Sequence, residues 1–427
     1  MEHLKDSQAR LKHISSMLQP LVQELPKTLS GVELHRIMSQ LLEGQSEEWR
    51  LELQAQLTYF LERMEVLEAS DIDIGSEGSN GRIWYRIHGN KAPVELEDTL
   101  SVVEMDLLLL NLLMSKQREM LFEKRNFDFS HAVQRDNSDE KQRFRADMYY
   151  EMEHLALNMR RIENYIRPFK DLELHPEVGR ALSLRYYQYG LTLVTGITGS
   201  GKSATLDTII DANNRSVEAH VVIVASPIEM VHKSRKCIIR HREVGRDVWS
   251  FKEGVVQALR QDPDIIMIGE LRDPETIMSA LEITDSGHKT FGTLHTSSAM
   301  ETIDRIVGET EVDEQERVRN RLADVLTCII SQKLVPSLDG KRVLAKEVLL
   351  VTPSVKAAIR NNNVGEIYQM LMEGSSRGMF TMEQDLFRLF NRGLISGETA
   401  MNYCNNKKRM YQLLNPSTVN KLNSILE

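Results

Sequence analysis

A glycine-rich segment at residues 196–203 has the residue types of a phosphate-binding loop. It fits the pattern GxxxxGKS without mismatch and ends in Lys202 and Ser203. An apolar run at residues 191–195 precedes it, and a helix-like segment follows it from Ala204. In such a unit, backbone N–H groups and the helix N-terminus face a polyphosphate, the lysine reaches the β and γ phosphates, and the serine ligates Mg²⁺. The segment predicts a nucleoside triphosphate with Mg²⁺, bound by Gly196, Thr198, Gly199, Ser200, Gly201, Lys202, Ser203 and Ala204.

An acidic residue follows another predicted strand. Residues 265–268 are apolar, and Gly269 and Glu270 come directly after them. A carboxylate at the C-terminal edge of a parallel strand faces the crevice where ligands of such sheets bind. Together with the phosphate loop, this placement predicts that Glu270 orients and activates the water that attacks the γ-phosphate. Taken alone, the acidic residue would fit a helix cap equally well.

Two histidines flank a third predicted strand, residues 290–294. His288 precedes this strand and His295 follows it. Either end of the strand could face a nucleotide. From the residues alone, however, the default interpretation is a pair of histidines whose ring nitrogens are satisfied by backbone partners.

Composition and charge narrow the class of protein. Charged residues make up 27% and hydrophobic residues 41% of the 427 residues, which is typical of a globular protein rather than a disordered or membrane one. The net charge of -9 gives no sequence-wide attraction to nucleic acid. The three cysteines lack a CxxC spacing and predict packing residues, not a disulfide framework or zinc site. The charged N-terminus resembles no export signal, so we expect a cytoplasmic protein.

Hydrophobic periodicity predicts three regions. Residues 1–52 form a helical N-terminal extension, residues 53–165 a small α+β domain, and residues 166–427 a nucleotide-binding domain with a mostly parallel sheet. We expect one apolar helix near residues 105–122, and a chiefly helical region from about residue 315 to the end of the chain. The smaller domain is expected to contain strands at 82–89, 127–130 and 143–148.

The extension carries an apolar stripe between Leu11 and Leu42 at helical spacing. Such a stripe must be covered by its own chain, a neighbouring subunit or a partner. One hypothesis is that the extension serves partner docking or ring assembly. The alternative is that it packs on its own N-terminal domain.

Five segments carry a shared pattern: the phosphate loop and residues 226–237, 242–247, 269–273 and 286–297. Together they closely resemble the secretion ATPase superfamily and, within it, the type IV pilus retraction ATPases (the PilT family). Two further segments, 357–360 and 378–385, resemble the C-terminal signatures of the retraction type. The resemblance covers roughly residues 69–395.

The resemblance implies an α/β architecture: a RecA-like P-loop ATPase domain preceded by a small α+β (PAS-like) N-terminal domain, with the helical extension before it and a helical C-terminal region after it. It also implies a ring, usually a homohexamer, with ATP and Mg²⁺ at a boundary shared by two subunits. Glu270 then matches the catalytic acid of the family. His295 and His288 match the histidine box, which lies beside the nucleotide. In the family, arginines of the neighbouring domain approach the γ-phosphate, and Arg143, Arg145 and Arg160 match them. The planar cation of arginine stabilises the charge on phosphoryl oxygens.

Two departures from the family pattern affect the chemistry. Relatives carry an Asp box that reads Glu-Asp-Pro-hydrophobic-Glu, whereas this chain has Ala225 and Ser226 at the first two positions and keeps only Glu229 as a carboxylate. The loss of two carboxylates near Mg²⁺ and the attacking water predicts slow turnover. Residues 150–154 also lack the expected Gln/Arg pattern, and the extension has no counterpart in the short retraction enzymes.

The resemblance implies an ATP-hydrolysing hexameric motor of a type IV pilus or related secretion system, of the retraction type that drives twitching motility. Its expected partner is an inner-membrane platform protein, so the motor would lie at the inner membrane on the cytoplasmic side and touch the membrane only through partners. The altered Asp box keeps open an accessory ATP-binding ring subunit that works with an active paralogous ATPase. A nucleic-acid translocase is a further alternative, although the acidic net charge gives no reason to expect nucleic acid.

Overall fold

The chain forms two compact units, Met1–Asn164 and Tyr165–Glu427. Within the described part, every helix is too short or too polar to cross a membrane. Cys237, Cys328 and Cys404 are buried and unpaired, as expected of packing residues. The computed structural model describes residues 2–88, 90–94, 99–134, 141–162 and 165–415.

The N-terminal unit combines helices with one antiparallel sheet. Its strand order is β3-β2-β1-β6-β5-β4. The helices are α1 (Glu2–Glu24), α2 (Gly31–Glu43), α3 (Glu47–Val66), α4 (Val102–Leu110) and α5 (Ser115–Lys124). The strands are β1 (Ala69–Gly75), β2 (Trp84–Ile87), β3 (Asn90–Pro93), β4 (Asn126–Gln134), β5 (Lys141–Glu151) and β6 (His154–Ile162).

The two faces of this sheet differ in polarity. Along β5, Phe144, Ala146 and Met148 are buried, whereas the alternate positions Arg143 and Arg145 are not. Successive side chains of a strand point to opposite faces. The sheet therefore buries one apolar face under the helices and presents arginines on the other.

The helical extension packs into the same core as the sheet. Leu11, Ile14 and Leu18 of α1 are at most 2% exposed, and they share one hydrophobic cluster with Phe60 and Phe144. The apolar stripe is therefore covered by the extension's own unit, which is the second of the two alternatives above. Helix α3 also runs without a break across residue 52, so the predicted boundary falls inside a helix.

The expected single helix near residues 105–122 is wrong, because the chain forms α4 and α5 there. The break has local causes. Asn111 ends α4 and donates its side-chain amide to the carbonyl of Arg50 at 2.9 Å. At the start of α5, the Gln117 side chain accepts the N–H of Met114 at 2.9 Å, which caps a new helix.

The C-terminal unit contains a second sheet in the order β13-β12-β7-β11-β10-β8-β9. Its strands are β7 (Gly190–Thr195), β8 (Ala219–Ala225), β9 (Cys237–Glu243), β10 (Ile265–Ile268), β11 (Lys289–Leu294), β12 (Leu326–Pro336) and β13 (Arg342–Leu350). The helices are α6 (Pro176–Leu182), α7 (Lys202–Ser216), α8 (Phe251–Ala258), α9 (Pro274–Asp285), α10 (Ala299–Gly308), α11 (Gln315–Val325), α12 (Pro353–Arg360), α13 (Glu366–Glu373), α14 (Met382–Asn391), α15 (Gly397–Tyr403) and α16 (Lys407–Leu414).

Six strands of this sheet are parallel, and only β13 pairs antiparallel, with β12. Every residue of β7, β10 and β11 is buried. Continuous apolar runs of this kind are typical of parallel strands that helices cover on both faces. The predicted mixed α/β fold with a mostly parallel sheet is therefore confirmed.

The prediction of a chiefly helical chain from about residue 315 is wrong, because β12 and β13 lie in that region. Helices dominate only from α12 onward. The segment of β12 contains Ile329, Ile330 and Val335, and β-branched residues favour strands. Its pairing with β7 extends the parallel sheet beside the phosphate loop.

We predict that Leu18→Ala destabilises the N-terminal unit by about 2–5 kcal/mol, because the substitution leaves a cavity in a filled core. Leu18 is 0% exposed. The matched control is Leu51→Ala on α3, where the side chain is 56% exposed and its loss should cost little. Thermal melting of the full chain measures both. Equal melting temperatures for the two variants would show that the extension is not part of this core.

Candidate functional site

Four segments singled out in the sequence lie at one edge of the C-terminal sheet. The phosphate loop follows β7, His295 follows β11, and Glu270 lies just after β10. Residues 225–229 begin at the last residue of β8. These four strands are parallel and stand next to one another in the sheet. Their carboxyl ends therefore meet at the edge where parallel α/β sheets bind ligands.

The phosphate loop has a backbone that only glycine permits at two points. Gly196 has a φ of +149°, and a Cβ there would lie 2.4 Å from both the carbonyl oxygen of Gln332 and the Oγ of Ser200. Gly201 has a φ of +87° and stands directly before α7. The pattern's first and last glycines are therefore fixed by steric contact and by backbone angle.

Lys202 is folded back over its own loop. Its Nζ donates to the carbonyl oxygens of Gly196 at 2.8 Å and Ile197 at 3.3 Å. Burial lowers the pKa of Lys202, while the charges of Glu270 and Glu229 act in the opposite direction. The ammonium group is thus held inside the loop, with two carboxylates close enough to influence its titration.

The loop fits a polyphosphate. Helix α7 begins at Lys202 and, because Gly201 precedes it, has no side-chain cap on its first N–H groups. The Oγ of Ser200 is buried and finds no hydrogen-bond partner among the described residues. Uncapped N–H groups at a helix N-terminus form a ready site for phosphate. Ser203, the predicted Mg²⁺ ligand, lies in the first turn of the same helix.

Gln332 stabilises the phosphate loop through two side-chain hydrogen bonds, and the sequence analysis did not identify this residue. Its Nε2 donates to the carbonyl of Ser200 at 2.9 Å, and its Oε1 accepts the hydroxyl of Thr205 at 3.0 Å. Gln332 lies on β12, in the region that was predicted to be helical. The run of β-branched residues around Ile329 and Ile330 was the signal that could have identified this strand.

Glu270 and His295 face each other across neighbouring strand ends. The Nε2 of His295 lies 3.3 Å from Oε1 of Glu270. Burial, followed by the nearby charge of Lys202, lowers the pKa of His295 and favours the neutral imidazole. The backbone around Glu270 is fixed as well, since the N–H of Leu271 donates to the carbonyl of Thr293 at 2.9 Å. These contacts bring Lys202, Glu270 and His295 together.

His288 lies at the other edge of the sheet. It precedes β11, and its carbonyl oxygen accepts the N–H of Gly190, the first residue of β7. Its Nδ1 contacts the Oγ of Ser286 at 3.0 Å. The phosphate loop begins at the opposite end of β7, about 20 Å away along a strand of six residues. The structure therefore does not bring His288 to the phosphate loop of its own chain, and its contact with nucleotide stays a prediction.

The altered Asp box lies beside a buried carboxylate. Glu229 is partly buried, and its charge influences the titration of Lys202. Glu243, at the carboxyl end of β9, is 4% exposed and accepts the N–H of Ile228 at 3.1 Å. Sequence reasoning gave Glu243 no separate role. It holds the backbone next to Glu229, within the altered Asp box.

The three predicted arginines lie on the N-terminal unit and share one face of its sheet. Arg145 and Arg160 are directly opposite each other on β5 and β6, and Arg143 lies two residues away on β5. The Nε of Arg160 donates to Oδ1 of Asp71 at 2.9 Å. The arginines are thus clustered and presented on the polar face, and their approach to a γ-phosphate stays a prediction.

Comparison with known proteins identifies similar sequences. Residues 52–374 match the family model described as "Type II/IV secretion system protein". A twitching motility protein of Neisseria gonorrhoeae is 36% identical over 326 residues, which are 76% of this chain and 85% of that protein. A type IV pilus retraction ATPase, PilT, of Pseudomonas aeruginosa is 37% identical over 315 residues, which are 74% of this chain and 89% of that protein.

A solved structure is similar as well. The crystal structure of the pilus retraction motor PilT with bound ADP superposes with a TM-score of 0.73 at 36% identity. The match covers 83% of this chain and 98% of that one. The similarity therefore extends over both units and includes the loop and strand ends described above.

We predict that Gly196→Ala weakens nucleotide binding at least about tenfold, a loss of roughly 1.4 kcal/mol, because the new Cβ collides with Gln332 and Ser200. The matched control is Gly340→Ala in the turn between β12 and β13. Gly340 also has a positive φ, +80°, but an added Cβ there meets nothing within 4 Å. Titration with a fluorescent ATP analogue measures both variants. Equal affinities would show that the loop backbone does not form the site.

Proposed function

The chain belongs to the type II/IV secretion system protein family, within the pilus retraction ATPases, and we propose that it is an ATP-hydrolysing motor of a type IV pilus or related secretion machine. The observation that carries this proposal is the grouping of Lys202, Glu270 and His295 at one sheet edge, beside an uncapped helix N-terminus. The similarity to a twitching motility protein and a pilus retraction ATPase favours a type IV pilus or related system as the machine that the motor serves.

ATP binds through its phosphates in this proposal. The N–H groups at the start of α7 receive the β and γ phosphates, and the Nζ of Lys202 exchanges its two carbonyl acceptors for phosphate oxygens. Because burial lowers the pKa of Lys202, an anionic partner stabilises its charged form. Ser203 would hold Mg²⁺, which neutralises part of the phosphate charge when bound.

Hydrolysis is assigned to Glu270. Its carboxylate orients a water molecule and accepts a proton as the water oxygen bonds to the γ-phosphorus and the bond to the bridging oxygen of ADP breaks. His295, 3.3 Å from Oε1 of Glu270, is a positioning residue that holds the carboxylate toward the loop. Glu229 lies near the same ammonium group and is a second candidate for orienting water.

The arginine face of the N-terminal unit supplies the proposed link between subunits. In a ring, preferably a homohexamer, Arg143, Arg145 or Arg160 of one subunit would approach the γ-phosphate of its neighbour, where a planar cation stabilises phosphoryl charge. Arg160 pairs with Asp71 at 2.9 Å and would exchange this carboxylate for phosphate oxygens. The proposal extends to a PAS-like N-terminal domain and a RecA-like ATPase domain, supported by the antiparallel and parallel sheets.

The partner in this proposal is an inner-membrane platform protein of the pilus or secretion machine. The motor would act on it from the cytoplasmic side, and contact with the membrane would be through partners only. No nucleic acid is expected, because the chain carries a net charge of -9. The retraction type is favoured by the two relatives named for twitching motility and pilus retraction.

A second candidate function is an accessory ring subunit that works with an active paralogous ATPase. The specific observation is the Asp box, where Ala225 and Ser226 replace two carboxylates. Such a subunit would bind ATP and hydrolyse it slowly by itself. Steady-state ATPase activity of the purified ring, with and without a paralogue, separates this candidate from an independent motor.

We predict that Glu270→Gln keeps ATP binding but lowers the hydrolysis rate by roughly 10²–10⁴, because an amide cannot accept the proton from water. Lys202→Ala should instead lose tight binding, since it removes the cation that meets the phosphates. The matched control is Glu275→Gln on α9, where the carboxylate is exposed and pairs with Lys252 at 3.0 Å. Nucleotide titration and phosphate release measure all three. Unchanged turnover in Glu270→Gln would remove Glu270 from catalysis.

We predict that mixing Arg145→Ala or Arg160→Ala subunits with Lys202→Ala subunits restores ATPase activity that neither variant has alone. Hybrid rings would contain some sites with an intact loop on one subunit and intact arginines on the next. Arg36→Ala, which removes an exposed arginine of the same unit that pairs with Glu119, is the control and should turn over normally. Absence of complementation in rings shown by mass to be mixed argues for a role of the arginines within one subunit.

A further inference from the structure

Three metal-ligating side chains converge inside the N-terminal unit, apart from the ATPase site. They are His35 on α2, Asp106 on α4 and His154 at the start of β6. Their ligand atoms all lie within 4.8 Å of one another. Two imidazoles and one carboxylate are donors that Zn²⁺ and related divalent metals bind well.

The three donor atoms have nearly the spacing that one ion requires. Oδ2 of Asp106 lies 2.7 Å from Nδ1 of His154 and 3.1 Å from Nε2 of His35. Zinc bonds to nitrogen and oxygen of about 2.0–2.2 Å place tetrahedral ligand atoms roughly 3.3–3.6 Å apart. To admit the ion, the Asp106–His154 pair would have to open by about 0.6–0.9 Å and the Asp106–His35 pair by about 0.2–0.5 Å.

The ring of His35 is buried with one nitrogen unused. Within the described residues, Nε2 makes no hydrogen bond of good geometry, although Oδ2 of Asp106 lies 3.1 Å away. The other nitrogen, Nδ1, lies 2.8 Å from the hydroxyl of Tyr150. In the tautomer that donates Nδ1–H to this hydroxyl, Nε2 carries the lone pair that a metal ligand requires.

The carboxylate of Asp106 is oriented by a backbone hydrogen bond. Leu155 donates to Oδ1 at 2.8 Å, which leaves Oδ2 for the two histidines. The hydrogen bond to Leu155 therefore orients the carboxylate in the way that outer partners orient metal ligands.

The cluster has an open and negatively charged side. The side chain of His154 is 24% exposed, whereas those of His35 and Asp106 are fully buried. Glu77 and Glu153 are exposed, and their charges act on His154. A cation can therefore approach past His154, and a water molecule can complete its coordination there.

We propose that His35 Nε2, Asp106 Oδ2 and His154 Nδ1 form a structural site for a divalent transition metal of the zinc class, with water as the fourth ligand. The ion replaces the proton between His154 and Asp106, and that proton leaves to solvent. Because the ligands come from α2, α4 and β6, the ion ties the helical extension to the sheet. The site is independent of ATP hydrolysis and would bind metal whether or not the proposed motor activity is correct.

The test is titration of the nucleotide-free, chelator-treated full-length chain with CoCl₂, read by the visible d–d absorption of low-symmetry Co²⁺. We expect one tight Co²⁺ per chain, displaced by Zn²⁺, with proton release and a higher melting temperature. His154→Gln and His35→Gln should each weaken binding at least about tenfold, as loss of a ligand demands. The control is His13→Gln, which removes an exposed histidine paired with Glu52 at 3.2 Å and should change nothing.

Three results would overturn the site. One is the absence of low-symmetry Co²⁺ absorption in a folded chain. Another is Co²⁺ affinity that His154→Gln leaves unchanged, which would place the ion elsewhere; His154 is partly exposed, so its variant is expected to fold. The third is a melting temperature that responds to pH between about 5 and 8 through the histidines but not to metal, which would assign the cluster to hydrogen bonding alone.

Discussion

The parallel alignment of β7, β11, β10 and β8 is the constraint on which the candidate site depends. Each strand ends at the same edge, so segments far apart in the chain, from Gly196 to His295, meet without any long loop. The same geometry places His288 away from this edge of the sheet. It lies only seven residues before His295, but a parallel strand separates them and carries them to opposite edges of the sheet. Distance along the chain is therefore a poor guide to membership of this site, whereas strand polarity is a good one.

Those parts of the site that depend on local sequence were predictable. The loop from Gly196 to Ser203 is continuous in the chain, and Glu270 follows a short, fully apolar strand, so pattern and strand polarity suffice to locate both. Gln332 was not predictable in this way. It reaches the loop through pairing of β12 with β7, a contact between segments more than 130 residues apart whose register no local pattern encodes.

The N-terminal unit shows the same division between local and tertiary information. The apolar stripe of α1 was visible in the sequence, but its partner was not, because periodicity defines a face without identifying what covers it. The break between α4 and α5 depends on a hydrogen bond from Asn111 to Arg50, across 61 residues. Asp106 is a further case. In the sequence it is a polar interruption of an apolar run, and only the fold brings His35 and His154 to its carboxylate.

The altered Asp box can be understood through the charges around Lys202. Here the charges of Glu270 and Glu229 act on the ammonium group. Fewer carboxylates near a triphosphate reduce its repulsion, which favours binding, but they also leave fewer groups to orient water and Mg²⁺. Replacing Ala225 and Ser226 with carboxylates is therefore expected to weaken nucleotide binding and to speed turnover. In the proposed ring, slow turnover in one subunit would give the arginine face of a neighbouring subunit time to approach the nucleotide.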